Sequence, residues 1–163
     1  MTADASAGLI APGTPVPEFR LQREDGSEFT RADLKGQTTI LVFYPFAFSP
    51  VCTDQLGLYE DVLSDYLEQR GVAMYGISCD ARWSQTAFRK KLGVAIPQLS
   101  DFEPKGAACR AFGVYHPGGF PQRALVIVGP DAAVAWSYQA PAPTDLPGAN
   151  LIFDGLAAVA ARA

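Results

Sequence analysis

Residues 38–78 read TTILVFYPFAFSPVCTDQLGLYEDVLSDYLEQRGVAMYGIS, and this stretch decides the fold. Thr38 to Tyr44 is an unbroken β-rich apolar run that stops at Pro45. Continuous rather than alternating apolarity predicts a strand covered on both faces, as in a parallel sheet. From Val51 to Gln69 the period changes. Leu56, Tyr59, Val62, Leu63, Tyr66 and Leu67 recur at three- and four-residue steps, which predicts an amphipathic helix ended by Gly71. Val72 to Ser78 is a second apolar strand. Strand, helix and strand within about 40 residues make a right-handed βαβ unit whose two strands point the same way.

The flanks extend this unit in both directions. Upstream, Glu18–Gln22 and Ser27–Thr30 alternate polar and apolar residues around Asp25-Gly26, a strong hairpin signal. Downstream, Ser84–Leu92 reads as a helix, Ile96–Leu99 as a short strand, and Pro104–Phe112 as a short helix. Arg123–Val128 and Ala132–Tyr138 flank Gly129-Pro130-Asp131 as a second hairpin, and Asn150–Arg162 closes as an Ala-rich helix. The expected fold class is α/β: a mixed central sheet flanked by helices, with one hairpin at each end. At 163 residues, without repeats or a composition shift, the chain is expected to form one domain, 1–163. Residues 1–17 are small, polar and Pro-rich, and 1–11 of them are expected to be a flexible arm.

Composition narrows the function classes. Apolar residues make up 48% and charged residues 18%, which excludes a disordered polyelectrolyte. Thirteen Lys and Arg against 17 Asp and Glu give a net charge of −4, so nucleic acid and anionic membrane surfaces are not expected partners. The longest apolar run falls far short of the ~20 residues that span a bilayer. Met1-Thr2-Ala3-Asp4 lacks a basic start before an apolar stretch, and three cysteines are a poor disulfide framework. A cytoplasmic protein is expected. His116, the sole histidine, and three scattered cysteines have no zinc spacing, so neither metal nor cofactor is expected.

The loop between the first βαβ strand and its helix carries the chemistry. Ligands of α/β sheets collect at the carboxyl ends of parallel strands. There Pro45-Phe46-Ala47-Phe48-Ser49-Pro50-Val51-Cys52 leads into the helix, placing Cys52 in or near its first turn. Unpaired N–H groups and the helix dipole favour an anion at that place, the setting of reactive cysteines. The competing reading is a small buried hydrophobe, the common role of a free cysteine.

Pro45-x-x-x-Ser49-x-x-Cys52 resembles the active-site pattern of the peroxiredoxins, Pro-x-x-x-Thr/Ser-x-x-Cys. The opening Pro12–Phe19, Asp33-Leu34-Lys35-Gly36, Gly76–Asp80, Leu99-Ser100-Asp101 and Phe112-Gly113-Val114 resemble further family landmarks in the right order. Arg123 stands where the family has its active-site arginine. The resemblance is nearest to the alkyl hydroperoxide reductase E and bacterioferritin comigratory branches. It implies a thioredoxin-like fold with an N-terminal β-hairpin extension, and reduction of peroxides by a cysteine thiolate that becomes sulfenic acid. It further implies roles residue by residue. Cys52 is the nucleophile, Arg123 stabilises the thiolate and the leaving oxygen, and Ser49 with the backbone N–H groups of Val51 and Cys52 holds the peroxide. Pro45 shields the sulfur. The implied partners are a peroxide substrate, a thiol reductant (a thioredoxin-like protein or a low-molecular-weight thiol) and a second copy in a homodimer.

Taken singly, Pro45 reads as a strand terminator, Ser49 as an N-cap and Arg123 as a strand-end charge. The recycling partner is open. Position 57, where one branch of the family has a resolving cysteine, is glycine. Cys79, after the second βαβ strand, is the first candidate to resolve Cys52, and Cys109 the second; the bland alternative for both is packing. Gln55 stands where many relatives have a glutamate able to pair with the arginine. A thioredoxin-type exchanger lacks its second thiol in Cys52-Thr53-Asp54-Gln55. A peroxide sensor or redox-regulated holdase is the non-enzymatic alternative on the same fold.

Overall fold

A computed structural model describes residues 8–162 of the chain. A hairpin of β1 (Arg20–Arg23) and β2 (Glu28–Thr30) turns at Gly26, whose φ of +90° suits a residue without a Cβ. A one-turn 3-10 helix at Arg31–Leu34 then leads into β3 (Thr39–Phe43), buried at every position as the unbroken apolar run predicts. Next come α1 (Pro50–Gln69), β4 (Ala73–Ser78), α2 (Arg82–Leu92), β5 (Gln98–Ser100) and the five-residue α3 (Ala107–Ala111). A two-residue ribbon of β6 (Tyr115–His116) and β7 (Phe120–Pro121) precedes the hairpin of β8 (Ala124–Val128) and β9 (Val134–Gln139). The helix α4 (Ala149–Arg162) closes the chain.

Seven strands form one mixed sheet in the order β2-β1-β5-β4-β3-β8-β9. β3, β4 and β5 run parallel, and the hairpins add antiparallel pairs on either side, the expected α/β architecture with a hairpin at each end. Register makes the two faces separate cores. Leu41, Phe43, Ile77, Leu99 and Val126 point to one face, packed with Phe112, Cys109 and the N-terminal segment at Ile10 and Val16. Ile40, Val42, Tyr44, Leu125 and Ile127 point to the other, under Leu56, Tyr59 and Leu63 of α1, Phe88 of α2 and Ile152 of α4.

Three expectations change in detail. The α3 helix begins at Ala107 rather than Pro104, because Gly106 sits in the left-handed region at φ +76° and serves as its N-cap. The strand expected at Ile96–Leu99 shifts to Gln98–Ser100, since Pro97 has no N–H and only its carbonyl joins the ladder, accepting from the Gly76 N–H at 2.9 Å. Residues 1–7 of the expected arm lie outside the described residues, but its end is tied down. Ile10 is buried, its N–H donates to the Phe112 carbonyl at 3.0 Å, and its carbonyl accepts from the Ser137 hydroxyl at 2.7 Å.

Candidate active site

Cys52 lies at the third position of α1, after Ser49 as N-cap and Pro50 at the first position. Proline is at home there, because its missing N–H has no intrahelical partner to lose. The helical ladder begins with the Thr53 N–H on the Ser49 carbonyl at 2.9 Å, so the Val51 and Cys52 N–H groups lie before it. The Cys52 side chain is fully buried beneath the sheet face that carries Val42 and Tyr44.

Arg123, one residue before β8, reaches Cys52 across 71 residues of sequence: its Nη2 donates to the Cys52 Sγ at 3.1 Å. Its Nη1 donates to the Gln55 Oε1 at 2.6 Å, and its Nε to the Pro143 carbonyl at 2.7 Å. The guanidinium is thus held by all three nitrogens while only 2% exposed. Among the described residues no carboxylate pairs with Arg123. A buried guanidinium without a counter-charge is costly, so the pocket calls for an anion, and the Cys52 sulfur is the acceptor at its tip. Gln55 answers the question its sequence position raised: the amide oxygen orients the arginine as a carboxylate oxygen would, without neutralising it.

A second row of contacts holds Gln55. Its Nε2 donates to the Tyr59 hydroxyl at 3.2 Å, and that hydroxyl donates to the Pro147 carbonyl at 2.7 Å. Burial pushes the Tyr59 hydroxyl up to about 12, so it stays a neutral donor. Cys52, Gln55 and Tyr59 occupy positions i, i+3 and i+7 of α1, one helical face, a spacing visible in the sequence and not read there. The Pro143 and Pro147 carbonyls are also unforeseen. They arrive from the connection between β9 and α4, whose path no local pattern specifies.

The loop above the sulfur is under tension. Phe48 has φ of +70°, a left-handed conformation that costs a non-glycine residue about 1–3 kcal/mol. It is held in place by the Ala47 N–H on the Asp80 carboxylate at 2.8 Å and by the Phe48 ring against Phe88 at 5.2 Å. The Ser49 hydroxyl does not cap the helix; it donates to the Phe46 carbonyl at 2.9 Å, leaving its lone pairs free. Pro45 is buried at the end of β3. Asp80 also accepts from the Ser78 hydroxyl at 2.7 Å, so β4 and the Cys52 loop share one carboxylate that sequence reasoning overlooked.

The other two cysteines lie elsewhere. Cys79 and Cys109 belong to the core on the opposite face of the sheet from Cys52. Cys79 and Cys52 do emerge at one end of the sheet, as the βαβ reading expects, but the sheet separates their side chains. His116 stacks on Phe120 with ring centroids 4.2 Å apart, and its Nδ1 accepts from the Gly118 N–H at 2.8 Å, a turn-forming role.

A cysteine at a helix start, bonded by a buried arginine at the end of a mixed α/β sheet, is the setting of a reactive thiol. Comparison with known proteins gives its family. Residues 12–137 match the model of the AhpC/TSA family, and the chain belongs to that family. Alkyl hydroperoxide reductase E of Mycobacterium tuberculosis is 28% identical over 155 residues, which cover 94% of this chain and 100% of that protein. A second Mycobacterium tuberculosis protein, assigned to the peroxiredoxins, is 36% identical over 106 residues, 65% of this chain and 66% of its own length. Among solved structures, a peroxiredoxin-like protein from Aquifex aeolicus matches with a TM-score of 0.82 at 19% identity, covering 94% of this chain and 90% of its own. That likeness speaks for the fold.

Proposed function

We propose that the chain is a thiol-dependent peroxidase that reduces hydrogen peroxide and organic hydroperoxides. The 3.1 Å bond from Arg123 to the Cys52 sulfur at the start of α1 carries the reading. The Cys52 thiolate attacks one peroxide oxygen, the O–O bond breaks, and the second oxygen leaves as water or an alcohol while the sulfur becomes a sulfenic acid. Arg123 offers positive charge to the thiolate and to the leaving oxygen as charge builds there. The Val51 and Cys52 N–H groups and the Ser49 hydroxyl are placed to hold the peroxide in line. In the described state the sulfur has no solvent contact, so attack requires the Pro45–Ser49 loop to move aside. An external thiol, from a thioredoxin-like protein or a small molecule, then reduces Cys52. No other cysteine shares its side of the sheet. Family membership and the names of the matched relatives support the same activity.

One equivalent of hydrogen peroxide on the reduced chain, followed by a sulfenic-acid trap and peptide mass analysis, tests this reading. A single adduct on Cys52 is expected, and an unmodified Cys52 after peroxide exposure would overturn it. Gln55→Glu refines the account of the arginine. A carboxylate 2.6 Å from Nη1 takes up part of the guanidinium charge now directed at sulfur, so the rate of peroxide attack at neutral pH should fall by up to about tenfold. A rate equal to or above wild type would show that the neutrality of Gln55 is irrelevant.

Phe46 at 48% and Phe48 at 51% exposure lie in the loop, and Phe46 packs on the Phe120 ring at 5.1 Å, an apolar surface of the kind that marks an interface. We infer a two-fold homodimer through this face. Sedimentation should give twice the chain mass, and a monomer with full activity would remove the inference. The chain is expected to work in the cytoplasm as one domain. Three cysteines are a poor disulfide framework, and among the described residues no helix is long and apolar enough to cross a membrane.

A further inference from the structure

We propose that Cys79 and Cys109 are a second peroxide-oxidisable thiol pair, which closes a disulfide on the sheet face opposite Cys52. The two sulfurs and a carboxylate oxygen of Asp101 all lie within 4.8 Å of one another, all three residues being buried. The members of the pair are not equivalent. Cys79, 8% exposed, lines an open cleft of about 330 Å³ with Pro45, Phe46, Asp80, Phe102 and Lys105. Cys109 stands behind it with no exposure at all. An outer thiol at the wall of a cleft, beside an inner one shut off from solvent, is the arrangement an oxidation followed by internal capture requires.

The chemistry balances with peroxide as the oxidant. The Cys79 sulfur attacks one peroxide oxygen, the O–O bond breaks, and the thiol proton leaves with the other oxygen as water or an alcohol. Cys79 is now a sulfenic acid, oxidised by two electrons. The Cys109 sulfur attacks it, the S–O bond breaks, the S–S bond forms, and water departs. The Cys109 proton passes to that departing hydroxide by way of Asp101. A hydrogen bond with Cys79 and burial hold the Cys109 thiol well above the usual range, so its proton stays on sulfur until an acceptor takes it. Burial also raises the Asp101 carboxyl, making it a better acceptor than an exposed aspartate.

Closure to a bond of about 2.05 Å needs the two sulfurs to approach from within 4.8 Å. The element that must move is α3, five residues long and entered through Gly106. Asp101 holds it by accepting the Ala108 N–H at 3.1 Å and the Cys109 N–H at 2.8 Å. Two thiols and one carboxylate fall short of the four ligands that a structural metal site takes.

The test uses the full chain as Cys52→Ser, so that the result is independent of Cys52 chemistry, and the wild-type chain beside it in case the variant folds poorly. Each is reduced, exposed to excess hydrogen peroxide, alkylated under denaturing conditions and mapped by mass. The expected product is a Cys79–Cys109-linked peptide, lighter by two hydrogens, protected from alkylation and recovered as two free thiols after dithiothreitol. In Cys52→Ser with Cys109→Ser, Cys79 should instead accumulate as sulfenic or sulfinic acid. Both thiols fully alkylated after peroxide, in both chains, would overturn the proposal. So would zinc retained stoichiometrically by the reduced protein and protecting the pair, which would make the cluster a metal site.

Discussion

Cys52→Ser should abolish rapid peroxide turnover, leaving only the slow consumption that the Cys79–Cys109 pair can sustain, while leaving the fold in place. The two side chains are nearly isosteric, and the site is fully buried, so shape matters. A serine oxygen still accepts from the Arg123 Nη2, now 3.1 Å from the sulfur, so the buried guanidinium keeps all its partners. Stability by urea unfolding is therefore expected within about 1 kcal/mol of wild type. Cys52→Ala separates the two roles of this position. It also abolishes rapid turnover, but it leaves an Arg123 N–H without an acceptor and should cost about 1–3 kcal/mol in addition. Turnover by Cys52→Ser at a rate near that of wild type would remove Cys52 from the centre of the mechanism, and point instead to Cys79.

The position of Cys52 at a helix start is legible in the sequence, and the reasons are local. The run from Thr38 to Tyr44 can only be a strand buried on both sides, and the three- and four-residue spacing after Val51 can only be a helix. Together they place Cys52 at a helix start. Arg123 came from the resemblance alone, since nothing local brings a residue from the β8 hairpin beside that helix. The face that Cys79 takes is not legible in the sequence, for a definite reason. Strand order puts Cys79 and Cys52 at the same end of the sheet, but the face is decided by register. Phe43 pairs with Ile77, so Ile77 and Cys79, two residues on, share the side of Phe43, while α1 covers the side of Val42 and Tyr44. A slip of one residue would have reversed the answer, and register between β3 and β4 is a tertiary fact. The same holds for the Pro143 carbonyl, which reaches Arg123 through a connection without periodicity. The glutamine at position 55 was legible as a departure but not as a substitute, because whether an amide can do the orienting work depends on the 2.6 Å geometry and not on residue type.

Arg123→Ala is expected to slow peroxide attack by about 10²–10³-fold, and the pH dependence of that loss shows how the arginine acts. A thiol of ordinary acidity, near 8.5, is already a few per cent thiolate at pH 7, so complete ionisation gains only about 30-fold, or ~2 kcal/mol. A larger loss cannot come from ionisation. It must come from the charge that grows on the leaving oxygen as the O–O bond stretches, which Nη2 is placed to meet. Raising the pH until the thiol ionises unaided should therefore restore only part of the rate, and the remaining deficit measures the contribution to the transition state. Arg123→Lys sharpens the comparison. An ammonium keeps the charge but not the planar fork that bonds Gln55, Pro143 and Cys52 together, so its defect should survive at high pH as well. Both variants need a measured unfolding midpoint, because removing the fork leaves the Gln55 oxygen buried without its donor. A folded Arg123→Ala whose loss is under about 30-fold and vanishes at high pH would show an arginine that only ionises sulfur. The rate acceleration would then have to come from the Val51 and Cys52 N–H groups and Ser49.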